Sequence, residues 1–150
     1  MMLSDHFSLA EMTKSQTAER RNLPNNPDKD AIEAMKLLCI NILEPVRNHF
    51  DKPFTPSSGF RSAELCVAIG SSVASQHTKG EAADFEVPGV SNLDLATWIV
   101  GNLDFDQLIL EFYKGGNTGW VHCSFKQEGN RRDVLTYQGK ESGYQKGLIP

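Results

Sequence analysis

The feature that most constrains the fold is a pair of strand-like runs, Phe105–Tyr113 and Gly119–Phe125. The linker between them, Lys114–Thr118, is rich in turn residues, so the sequence predicts a β-hairpin. Side chains alternate between the two faces of a strand. One face of the second strand therefore carries Trp120, His122 and Ser124, and the other carries Val121, Cys123 and Phe125.

Two other stretches have the periodicity of amphipathic helices. Between Asp28 and Phe50, apolar residues recur at intervals of three and four. Pro45 removes one backbone donor, which predicts a kink or an early end of this helix. Ser91 is placed to cap a second helix whose inward face includes Trp98. A further strand is predicted near Arg132–Tyr137.

A chain of 150 residues with 39% hydrophobic and 23% charged residues is typical of one globular domain. We therefore predict a single domain over residues 1–150. Its first 27 residues form an N-terminal arm, in which Ser8 and Glu11 make a capping box. Residues 139–150 are glycine-rich and polar, without a core pattern, so we expect them to be loosely held.

The stretch Ser75–Asp84 contains a histidine, His77, seven residues before a carboxylate, Asp84. Gly80 lies between them, and the predicted hairpin supplies a second histidine, His122. Two histidines and one carboxylate leave a fourth zinc position open, which is typical of a catalytic site. The sequence therefore predicts one Zn²⁺ bound by His77, Asp84 and His122, in a zinc hydrolase.

Peptide hydrolysis also needs a general base, and Glu111 is the best placed acid. A hairpin loop of four residues, Lys114–Asn117, pairs Glu111 with Trp120, and a loop of six residues pairs it with His122. Both registers bring its carboxylate to the His122 face, whereas a five-residue loop turns it away. We predict that Glu111 is the base.

Arg61 follows Ser58-Gly59-Phe60 and allows two interpretations. It is either a surface or loop-bracing arginine, or a fixed guanidinium that binds a substrate carboxylate or steadies a developing oxyanion. Its position in the sequence does not choose between them.

The motif Ser75-x-His77-x-x-Gly80-x-Ala82-x-Asp84, with Ser58–Ser62 before it and Trp120–Ser124 after it, resembles the M15 metallopeptidases. The similarity is to the zinc D-Ala-D-Ala carboxypeptidase branch of phages and bacteria and covers roughly residues 5–137. It implies an α+β fold of the hedgehog/D-Ala-D-Ala peptidase type, in which a small antiparallel sheet carries the site and packs against α-helices.

The resemblance further implies that His77, Asp84 and His122 bind zinc and that Arg61 binds the substrate or the transition state. It implies a peptidoglycan stem peptide as substrate, cut by a D-Ala-D-Ala carboxypeptidase or a stem endopeptidase. We also expect Ser75 and Trp120 to contact the substrate.

One departure from the family concerns the base. Many members have a histidine two residues before the last ligand or an acid three before it, where this chain has Trp120 and Gly119. The competing interpretation is a zinc-binding module of a phage virion or cell wall that has no turnover.

Other partners are not indicated. A net charge of −4 gives no basic footprint for nucleic acid. The N-terminus lacks a basic leader and a long apolar segment, so we expect no membrane partner and synthesis in the cytoplasm without a signal peptide. Action on the cell wall would then follow holin-type release or delivery in a virion. We expect a monomer.

Overall fold

The computed structural model describes all residues 1–150 and has an α+β fold in which helices pack on a five-stranded sheet. The strands are β1 (Ala82–Phe85), β2 (Gln107–Glu111), β3 (Trp120–Ser124), β4 (Asp133–Tyr137) and β5 (Tyr144–Lys146), in the spatial order β1-β3-β2-β4-β5. The α-helices are α1 (Leu9–Thr13), α2 (Gln16–Arg20), α3 (Lys29–Leu38), α4 (Glu44–Phe50), α5 (Ala63–Ile69) and α6 (Asn92–Asn102).

The predicted hairpin is confirmed as the antiparallel pair β2 and β3. Glu111 lies opposite Trp120, the register that the four-residue loop predicts. Asp84 on β1 is the direct partner of His122 on β3, so these two side chains are neighbours on one face of the sheet.

The α+β fold with a small sheet packed on helices is confirmed, but the sheet is mixed rather than antiparallel as the resemblance implied, because β4 pairs with β2 in parallel. The chain leaves β3 beside the start of β2, and the other edge of β3 is occupied by β1. The next strand therefore joins the free edge of β2 and runs in the same direction as β2.

The hydrophobic core lies between one face of the sheet and the long helices. Leu108, Leu110, Val121 and Cys123 face these helices and are completely buried. The alternation predicted for β3 is thus confirmed, and Cys123 points into the core, away from the His122 face. The opposite face of the sheet carries the polar side chains.

Helical structure continues from Lys29 to Phe50 through a π-helical turn, Cys39–Leu43. This turn directly precedes Pro45, which stands in the first turn of α4. A π-helical turn is one way for a helix to accommodate a local break in its hydrogen bonding. The predicted early end does not occur, since helical structure extends five residues beyond the proline to Phe50.

Both ends of the chain are more ordered than their composition indicates. The capping box of Ser8 and Glu11 is confirmed, and a second short helix, α2, follows with Ser15 as its N-cap. The segment 139–150 was expected to be loosely held, but it contains β5, which pairs with β4. Thr136 fixes it further by donating to the carbonyl of Gly147 and accepting from the amide of Ile149.

No helix combines the length and apolar character needed to cross a lipid bilayer.

Candidate metal centre

The polar face of the sheet brings together the three residues predicted as metal ligands. Asp84 and His122 stand side by side on β1 and β3. His77 approaches them from a short 3₁₀ helix, Gln76–Lys79. The Nε2 atom of His77 lies 3.4 Å from Oδ1 of Asp84, and Nδ1 of His122 lies 3.0 Å from the same oxygen. One potential ligand atom from each residue lies within 4.8 Å of the other two.

The 3₁₀ helix holds His77 through contacts at both of its ends. At its start, the Ser75 hydroxyl accepts a hydrogen bond from the His77 amide. At its end, Gly80 has φ of +74° and lies so close to the Ala31 carbonyl that a Cβ atom would clash. Only glycine fits this turn without strain, which explains why Gly80 separates His77 from the strand of Asp84.

The tautomer of His77 suits metal binding. Its Nδ1 donates to the carbonyl of Gly59 at 2.7 Å, which leaves the lone pair of Nε2 directed at Asp84 and His122. Two imidazole nitrogens and one carboxylate oxygen form a donor set that zinc accepts. The residues present therefore fit a metal ion.

Asp84 is anionic in this environment. The side chain is 10% exposed, and burial alone would favour the neutral acid. The imidazole groups of His122 and His77 outweigh this and hold the pKa of the Asp84 carboxyl well below its usual range. Arg61 supports the same state, since its Nη2 donates to Oδ2 of Asp84 at 3.0 Å.

Arg61 lies inside the site, with only 17% of its side chain exposed. Its Nε donates to the hydroxyl of Ser58 at 2.9 Å, and its Nη1 donates to that of Ser71. It therefore positions Asp84 through a fixed guanidinium. This burial does not agree with a surface arginine, whereas the hydrogen bonds to Ser58 and Ser71 are those of an arginine that braces loops.

Glu111 occupies the hairpin end of the same face and is half-buried. Its Oε2 accepts a hydrogen bond of 2.9 Å from the indole Nε1 of Trp120. Burial raises the pKa of the Glu111 carboxyl, and the negative charge of Asp84 raises it further. His122, the indole hydrogen bond and Arg61 only partly oppose these effects on the pKa.

An open cleft of about 670 Å³ connects these groups. The sequence-predicted site residues that line it are Arg61, Ser75, His77, Asp84, Glu111, Trp120 and His122. All seven of the residues predicted for the site thus face one cavity. Ser75 also caps the 3₁₀ helix, and Trp120 also supports Glu111.

The cleft has further walls that sequence reasoning missed. Tyr144 on β5 lines it and stacks on Tyr137, with ring centroids 4.5 Å apart. Arg131 lines it too, and forms an ion pair of 2.8 Å with the buried Asp106, which also accepts from Gln76. No local motif marks these residues, because a parallel strand pairing and a long loop bring them to the site.

The comparison with known protein families agrees with the geometry. A family model described as Peptidase M15 matches residues 5–124. Among curated proteins, none matches the chain. The matched range includes the three clustered residues, Arg61 and Glu111, and it ends before β4 and β5. With four fifths of its length matched, the chain belongs to the peptidase M15 family of metal-dependent peptidases.

Proposed function

We propose that this protein is a zinc peptidase that hydrolyses peptidoglycan stem peptides, either as a D-Ala-D-Ala carboxypeptidase or as a stem endopeptidase. The observation that carries the proposal is the convergence of His77, Asp84 and His122 in one cleft with Glu111, in a chain of the M15 family. A metal site and a separate acid in one open cleft are what peptide hydrolysis requires.

His77, Asp84 and His122 would hold the zinc ion through Nε2, a carboxylate oxygen and Nδ1. When bound, zinc supplies Lewis acidity for the scissile carbonyl and for activation of the attacking water. The chain itself fixes the donors. The Gly59 carbonyl orients His77, and Arg61 orients Asp84. These two side chains therefore need little rearrangement when a metal ion binds.

Glu111 acts as the general base and then as the general acid. It accepts a proton from the attacking water at its carboxylate and returns it to the leaving amine. A base is most effective when its pKa approaches the working pH. The raised pKa of Glu111 moves it in that direction.

Arg61, Ser75 and Trp120 contact the substrate in this proposal, since all three line the cleft. The Arg61 guanidinium places a fixed positive charge beside the ligand cluster, where the substrate carbonyl develops negative charge. Trp120 adds an aromatic wall next to Glu111. Peptidoglycan as substrate places the action of the protein at the cell wall, reached after holin-type release or as part of a virion.

The test is to incubate purified protein with defined muropeptides, with and without a chelator, and to follow the products by mass spectrometry. Metal content is measured on the same samples. We expect about one zinc per chain and chelator-sensitive hydrolysis. Loss of a terminal alanine identifies a carboxypeptidase, and internal cleavage identifies an endopeptidase.

The control in this assay is Glu111→Gln, which keeps the shape of the side chain and removes the base. It should bind zinc and form product at least about 100-fold more slowly than wild type. Zinc-loaded wild-type protein that binds muropeptides without forming any product would favour the binding module, and protein without zinc would overturn the proposal.

A further inference from the structure

A second groove borders the metal cleft and shares Arg61 with it. It lies between α2, α5 and the loop around Ser57, and it has a volume of about 530 Å³. We call it the Lys14–Arg20 groove after the two cations that line it. Ser58 also lines this groove, and its hydroxyl accepts from Nε of Arg61. One side of the Arg61 guanidinium is thus tied to the groove wall and the other to Asp84.

The charge of this groove differs from that of the whole chain. The protein carries a net charge of −4, yet Lys14, Arg20 and Arg61 line the groove and no acidic side chain does. Neither Lys14 nor Arg20 forms an ion pair within the protein, as each of the observed salt bridges joins other residues. Two cations remain without a counter-charge.

An acid beside the groove wall, Glu11, is already occupied. Glu11 accepts a hydrogen bond from Thr55, a residue of the groove wall, and its other oxygen completes the capping box with Ser8. The other polar groups of the walls are hydroxyls and the amide of Gln16, and the apolar part of the lining is Pro56, Phe60, Leu65 and Ile69. Cations next to hydroxyl and amide groups are the typical surroundings of a bound carboxylate.

We propose that the Lys14–Arg20 groove binds a carboxylate of the peptide substrate at a distance from the scissile bond. This inference rests on the proposed function and specifies it: the substrate is an acidic peptide that extends from the metal cleft across Arg61 into the groove. Two cations are too few for a nucleic-acid footprint, whereas they match one or two carboxylates of a short peptide.

The two cations bind a part of the substrate that does not react. Such contacts hold the ground state and the transition state equally, so their loss raises KM and leaves kcat nearly unchanged. This separates the groove from Glu111, whose loss lowers kcat.

The experiment compares Lys14→Gln, Arg20→Gln and the double variant with wild type. Each is tested on two peptides that differ only in one acidic group, present as the carboxylate or as the amide. KM and kcat are measured for each peptide. Equilibrium binding is measured separately by calorimetry in the Glu111→Gln background, where hydrolysis is slow.

We expect each single variant to weaken binding of the carboxylate peptide about three-fold and the double variant about ten-fold, the size of exposed charge pairs. The amide peptide should bind wild type and variants alike. The matched controls are Arg21→Gln and Lys140→Gln, which remove a charge outside the groove. They should bind like wild type.

If the variants lose the same binding affinity for both peptides, or if the control variants lose as much affinity, the groove is not a carboxylate site. Unchanged affinity of the double variant for the carboxylate peptide would contradict the proposal as well. Unfolding temperatures of all variants exclude misfolding as the cause. The two proposals can fail separately. If wild type does not hydrolyse the peptide but binds it more tightly with the carboxylate than with the amide, only the proposed enzymatic activity is contradicted. If wild type hydrolyses both peptides and binds them equally, only the proposed carboxylate site is contradicted.

Discussion

Asp84 and Glu111 are carboxylates of one cleft whose pKa values move in opposite directions. The pKa of Asp84 is lowered and that of Glu111 is raised. Burial pushes both upwards, and it is the largest single effect on each. Burial therefore does not explain the difference between them.

The difference comes from the groups around each carboxylate. Asp84 faces Arg61, His77 and His122, with nitrogen-to-oxygen distances of 3.0 to 3.4 Å. Glu111 receives one hydrogen bond, from Trp120. One guanidinium and two imidazoles stabilise a carboxylate more than one neutral indole donor does. The neighbouring groups, more than the degree of burial, therefore determine the direction of each pKa shift. A carboxylate that stays ionised is suited to bind a metal, and one that exchanges its proton is suited to act as a base.

The largest expected effect comes from making Asp84 neutral. Asp84→Asn removes the anionic ligand, so zinc binding should weaken by more than about 100-fold, the upper range for loss of a supporting group, and hydrolysis should cease. Zinc titration with a competing chelator measures the first effect, and the muropeptide assay measures the second.

The matched control is Asp106→Asn, since Asp106 is also buried and paired with an arginine but lies outside the ligand cluster. It should keep zinc and lose about 2 kcal/mol of stability. Despite burial, hydrogen bonds from Arg131 lower the pKa of Asp106. The contribution of Asp106 to folding stability is therefore fully present above the pKa that it has in the unfolded chain. This contribution is lost as the pH falls through the lower pKa of the folded protein. Zinc loss in Asp106→Asn equal to that in Asp84→Asn would contradict the assignment of the ligand.

A smaller effect is expected when only the base is removed. Glu111→Gln should lower kcat by about 10²- to 10⁴-fold, the usual contribution of a general base, while zinc stoichiometry and KM change little. Steady-state kinetics and metal analysis on the same preparation check this. Full activity in Glu111→Gln would remove Glu111 from the mechanism.

The smallest effect is expected when Glu111 is kept and only its hydrogen-bond donor, Trp120, is changed. Glu111 works as a base only when ionised, so activity is full above its raised pKa and falls as the pH drops through it. Trp120→Phe removes the one donor that favours the ionised form. The acidic limb of the kcat/KM profile should therefore move to higher pH, with a smaller change at the plateau. A limb that stays in place would show that this hydrogen bond does not tune Glu111.

Local patterns in the sequence predicted much of the fold because the physics behind them is local. Capping by Ser8 and Ser91 involves residues within one turn, and both caps are present. The alternation in β3 likewise follows from strand geometry alone. The placement of Glu111 on the His122 face depended on the length of the hairpin loop. The sequence left several loop lengths open, and the structure shows the pairing of Glu111 with Trp120.

The features that sequence reasoning missed depend on distant contacts. The parallel pairing of β4 with β2 arises because β1 occupies the other edge of β3. β5 forms because β4 offers it an edge, although residues 139–150 have no apolar pattern. The same pairing brings Tyr144 to the cleft.

The sequence by itself determined the types and spacing of the ligand residues, the hairpin and the caps, since each depends on neighbours along the chain. Only the tertiary structure decided that Arg61 is tied to Asp84, that β4 and β5 wall the cleft, and that Lys14 and Arg20 line an adjoining groove. Charges and hydrogen bonds act through space, and residues such as Arg61 and Asp84 become neighbours only when the sheet and its loops close around them.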